Sequence, residues 1–124
     1  MPFWRERVIQ PFLDADVDAA IAEQCAILRR DPSNPRAYFA LGTLLHFQGQ
    51  TDKAMEFFLR AIELDPAYAA PHVSLGRIHI VRHDYDLAWK HAREAERLGN
   101  RSLVEQLERY PKVESGVRSP RSGV

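Results

Sequence analysis

The sequence predicts an all-α fold made of helix pairs stacked in series. Two observations carry that expectation. First, residues recur 34 positions apart: Asp18, Asp52 and Asp86; Ala20, Ala54 and Ala88; Leu41 and Leu75; Gly42 and Gly76; Ala61 and Ala95; Leu64 and Leu98. A period of this size marks supersecondary units that each hide an apolar face against the next. Second, apolar residues inside each period fall at i, i+3, i+4 and i+7, the spacing of one buried helix face.

The elements follow in order. A first helix is expected near residues 3–10, with Trp4 standing 34 residues before Tyr38. Pro11 falls where Leu45 stands one unit later, so that helix is expected to be short, kinked or displaced. A second helix is expected over 16–30, ended by Asp31-Pro32. A third is expected over 36–48, with Asn34 as N-cap and Pro35 at the first helical position, where its missing N–H costs nothing. Its core face is read as Tyr38, Leu41, Gly42 and Leu45, and Gly49 beyond it suits a left-handed cap.

The next helix, 52–64, carries the stripe Ala54, Phe57, Phe58, Ala61 and Ile62, and Asp65-Pro66 ends it. The pair recurs at 69–82 and 86–98, the latter capped by Asp84. Gly42 and Gly76, with Ala54 and Ala88, are small so that two antiparallel helices can approach to about 8–10 Å. Leu98-Gly99-Asn100 is a stop, and 101–109 reads as a capping helix whose Arg101, Glu105, Glu108 and Arg109 face water. The Ser-, Gly- and Pro-containing stretch 111–124 reads as a disordered tail, in which Ser119-Pro120 is a chance-level modification motif.

Composition narrows the function classes. The 124 residues are 45% hydrophobic and 27% charged, which suits one soluble domain. Seventeen basic residues balance seventeen acidic ones, which argues against broad nucleic-acid binding and against a polybasic membrane anchor. No apolar run suggests a signal peptide or a membrane span, and early acidic residues argue against a transit peptide, so cytoplasm is the expected compartment. Cys25 stands alone and is expected to be a small buried thiol.

These residues resemble the tetratricopeptide repeat. Residues 35–68 match its pattern with Tyr38, Leu41-Gly42, Leu45, Ala54, Phe58, Ala61 and Pro66. Residues 69–102 keep Leu75-Gly76, Ala88 and Ala95, and depart with His72, His79, Ala92 and Asn100. Residues 1–34 keep Trp4, Ala20 and Pro32 but have Arg7-Val8 in place of Leu-Gly. The resemblance implies a right-handed α-solenoid of antiparallel helix hairpins, about 2.5–3 repeats over 1–110, closed by the 101–109 helix. Solenoids of this kind need about three units, so Phe3, Trp4 and Phe12 are candidates for a self-association surface.

Repeats of this kind use the inner face of their first helices as a peptide groove. Here that face carries Arg36, Phe39, Thr43, His46 and Phe47, followed by Val73, Arg77, Ile80 and Val81. Phe39, Phe47, Val73 and Ile80 would be apolar anchors, with Arg36, His46 and Arg77 as polar contacts. Adjacent exposed apolar residues mark interaction sites, and two readings stay open: a partner covers the face, or the chain does so with its Phe3-Trp4 segment or tail. One subfamily grips a terminal carboxylate with lysine, asparagine and arginine. Phe39, Ala40, Thr43, Ala70 and Ser74 stand at those places, so that function is rejected.

No chemistry is expected. His79 and His83 are four apart on a helix, but no further ligand is placed by motif, so no metal and no cofactor is expected. No base is paired with Cys25, and no catalytic constellation or phosphate-binding loop is present. The sequence therefore points to a non-catalytic interaction module, an adaptor or scaffold binding a peptide segment of a partner protein. The alternative is a homo-oligomeric structural subunit whose apolar faces are self-covered.

Overall fold

A computed structural model describes residues 10–109, with side chains over 16–109. Among the described residues there are six helices and no strand: α1 Gln10–Arg30, α2 Pro35–Phe47, α3 Thr51–Leu64, α4 Ala69–Val81, α5 Tyr85–Arg97 and α6 Ser102–Glu108. The expected helix at 3–10 with Trp4, the Phe3, Trp4 and Phe12 side chains, and the 111–124 tail lie outside what is described. The chain divides into two compact units, 1–64 and 65–124.

In the first unit α1 packs on α2, and α2 on α3. The helix α1 starts earlier than expected: it runs through Pro11 from Gln10 without a break. Proline is tolerated in a first turn, where no intrahelical N–H is required. Gln48 Nε2 donates to Asp18 Oδ1 at 3.0 Å and ties the end of α2 to α1. Asn34 caps α2 as expected, its Oδ1 accepting from Arg36 N at 3.0 Å and Ala37 N at 3.1 Å.

The buried face of α2 is Ala37, Leu41, Gly42 and Leu45. Tyr38 was expected there, and it stands instead half-buried at the hairpin edge, stacked on Phe57 with ring centroids 6.0 Å apart. The smaller Ala37 takes the interior because the centre is filled by Phe58, 1% exposed, from α3. A Cβ added to Gly42 would lie 2.6 Å from Phe58 Cε1 and 3.1 Å from the Ala54 carbonyl oxygen. Close approach is therefore the reason for glycine there. Cys25 is only half-buried, not enclosed as expected.

In the second unit α4 packs on α5, and α6 touches both. Its core joins Ala88 and Ala92 of α5 to Leu103, Val104 and Leu107 of α6, with Ile80 and Trp89 packed alongside. Asp84 caps α5 through Leu87 N at 3.4 Å. The Arg101 guanidinium gathers Glu96, Glu105 and Glu108 on the exposed side of α6.

The turns after α2, α4 and α5 are closed alike. Gln50 N bonds to Leu45 O at 2.9 Å, Asp84 N to His79 O at 2.8 Å and Asn100 N to Ala95 O at 2.8 Å. Each is the six-to-one bond of a Schellman cap, which requires a left-handed residue just before the donor. Gly49 and Gly99 supply it at φ +86° and +101°, and His83 supplies it at φ +62°.

Candidate functional site

The expected binding face is best followed on each unit separately. On α2, Arg36, Thr43, His46 and Phe47 are exposed, and Phe47 keeps 62% of its surface in solvent. Thr43 Oγ1 donates to the Phe39 carbonyl at 3.1 Å. Phe39 is half-buried, its ring 5.6 Å from that of Phe58 and tilted by 44°. Phe39 therefore both supports the core and borders the surface, whereas Phe47 keeps most of its surface in solvent.

On α4, Val81 is 77% exposed and Arg77 is exposed, its Nε donating to Gln106 Oε1 at 3.5 Å. Ile80 is half-buried against the core of its own unit. Val73, expected as an anchor, is 7% exposed and is covered by the chain itself. It occupies the repeat position of Phe39, where burial against the chain's own packing also competes with display. The structure thus leaves Phe47 and Val81, one repeat apart in sequence, as the large apolar residues displayed at the ends of these two helices.

Sequence reasoning missed a second cluster. His72 and His79 of α4 are 8% and 9% exposed, and His91 of α5 meets both. His72 Nδ1 and His91 Nδ1 are 3.1 Å apart, so one ring must donate its N–H to the other's lone pair. The His79 and His91 rings lie nearly parallel, 5° apart in plane with centroids at 5.6 Å. Burial lowers the His72 and His79 pKa, against the pull of Glu94 and Asp84 respectively. His91 is pushed down to about 4, first by burial and then by His72, His79 and Lys90. The signal was present in the repeat: 72, 79 and 91 are the positions of Tyr38, Leu45 and Phe57 shifted by one period.

The pair considered for metal, His79 and His83, does not act together. His83 is exposed in its turn with Nδ1 2.9 Å from Tyr85 Oη, and His79 faces His91. Among the described residues no group of three His, Cys, Asp or Glu side chains is placed to hold a metal ion. Nor is any helix among them long and apolar enough to cross a membrane.

Comparison with known proteins agrees with the repeat geometry. Residues 35–68 match the family model of the tetratricopeptide repeat. That span covers α2, α3 and the Asp65-Pro66 turn. No curated protein matches the chain. Tetratricopeptide repeats generally mediate protein–protein interaction and are typically non-catalytic.

Proposed function

We propose, for a chain that carries a tetratricopeptide repeat at 35–68, that it is a non-catalytic adaptor or scaffold holding a segment of a partner protein on the first-helix face of its repeats. The observation that carries this reading is Phe47, a phenylalanine 62% exposed at the end of α2. Burying such a ring against a partner contributes about 1.5–3 kcal/mol. Phe39 borders the same face, and Arg36, Thr43 and His46 supply its polar contacts. In the second unit, α4 presents a face of the same kind with Val81, Ile80 and Arg77, while Val73 gives structural support. A few such residues dominate most interfaces. A reducing cytoplasmic setting suits the single thiol and the balanced charge.

The test is capture of partners from the native lysate by the full chain and by a Phe47→Glu, Val81→Glu variant. Both residues lie outside the core, so the helical circular dichroism should persist while captured proteins are lost. Unchanged capture would overturn the assignment of this face. Light scattering over a concentration series separates the reading from self-assembly: a monomer up to high micromolar supports the adaptor, and a concentration-dependent oligomer dispersed by the same variant assigns the face to copies of this chain.

A further inference from the structure

We propose that His72, His79 and His91 form an acid-sensitive latch on the second hairpin: with neutral rings they hold α4 against α5, and proton uptake releases it. The geometry carries the idea. The three rings come from two helices and meet across the α4–α5 contact, with His91 touching both of the others. The Nδ1–Nδ1 contact of 3.1 Å needs one bare nitrogen. Doubly protonated, the pair would be two donors and two cations facing each other in a half-dry site.

Packing alone does not demand histidine. In the preceding repeat the same three positions are Tyr38, Leu45 and Phe57, and Tyr38 stacks on Phe57 as His72 meets His91. At all three places the second hairpin carries a side chain that titrates near neutral pH, and the first carries none.

The surroundings do not neutralise the charge that would form. From α5, Glu94 favours a charged His72 and His91, but it is tied to Arg97, and Arg97 and Lys90 oppose. From the α4–α5 turn, Asp84 favours a charged His79 and Arg82 opposes. From α6, Leu103, Val104 and Leu107 face inward, while Arg101, Glu105 and Glu108 pair at the exposed surface. Arg77 of α4 is turned to Gln106.

The sign follows from linkage. Histidines whose folded pKa lies below the ordinary 6.5 take up protons preferentially when unfolded. The hairpin is then fully stable above about pH 6.5 and weakens as pH falls toward the folded values. With His91 shifted to about 4, that ring alone lowers the folding equilibrium constant roughly 30-fold between pH 7.5 and pH 5. His72 and His79 add in the same direction.

The experiment is urea unfolding of the full chain, followed by far-ultraviolet circular dichroism at pH 7.5, 6.5, 5.5 and 5.0. It is repeated on His72→Tyr, His79→Leu, His91→Phe, which copies the first hairpin into the second. The natural chain should lose stability with falling pH and the triple variant should hold it. A flat profile for the natural chain, or an unchanged slope in the variant, would overturn the proposal. Should the triple variant fail to fold, two further readouts decide: His91→Phe alone must reduce the slope, and the imidazole proton resonances of the triad in the natural chain must titrate well below pH 6.5. Titration of those rings near 6.5 sinks the latch, as does zinc raising the melting temperature at pH 7.5, which would make the cluster a metal site.

Discussion

The two hairpins, α2–α3 and α4–α5, share a period and a backbone plan, yet they fill their centres differently. In the first, Gly42 admits the ring of Phe58 from the partner helix, and the hairpin supplies its own core. In the second, position 92 is alanine where the first has Phe58, and a Cβ on Gly76 would overlap Leu103 of α6. The space left by the missing ring is taken by the following helix. The first hairpin is thus self-sufficient at this point, and the second depends on its cap. The difference teaches that a departure from the repeat pattern need not weaken a unit, provided the next element brings the missing volume.

The sharpest way to break this contrast is to empty the two centres. Phe58→Ala should cost about 3–5 kcal/mol and Leu103→Ala about 2–5 kcal/mol. Urea unfolding measures both. Leu103→Ala combined with Ala92→Phe should recover part of the loss, because the ring returns to the place it holds in the first hairpin. Failure to recover any of it would show that Leu103 is not the substitute for that ring.

Next in size is Gly42→Ala. The added methyl meets a buried ring and a backbone carbonyl, neither of which can swing aside, so about 1–3 kcal/mol should be lost. Wild-type stability for this variant would mean that the α2–α3 approach is looser than the structure shows.

The smallest effect concerns the turns. The first hairpin places Gly49 in the left-handed position and the second places His83 there. A non-glycine residue pays steric strain in that region. His83→Gly should therefore raise stability by about 0.5–1 kcal/mol, read as a higher melting temperature. The His83–Tyr85 contact is exposed and its loss should not cancel the gain. A fall in melting temperature would give that contact the larger weight.

Much of the fold was legible because its signals are local. The Asn34-Pro35 start, the Asp84 cap, Gly49 beyond α2 and the Asp65-Pro66 stop each act within a turn of their own position, and the structure places helix ends beside all of them. What escaped was three-dimensional. Tyr38 read as core by period, though Ala37 takes the interior once Phe58 has filled it. His91 drew no notice, because its partners are 19 and 12 residues away in sequence and only the pairing of α4 with α5 makes them neighbours.

The proposed binding face divides in the same way. That α2 and α4 each turn a second face away from their core stripe was readable from helix periodicity; its use as a groove was an expectation from the family resemblance. Which residues remain on display was not readable, because Phe39 and Val73 share a repeat position that borders the core. Sequence by itself determined the helices, their order and their pairing, because capping, proline geometry and apolar periodicity are properties of short segments. Tertiary structure alone decided which side chains were consumed inside and which were left to solvent. Burial depends on the volume that neighbouring helices bring, and no single helix carries that information.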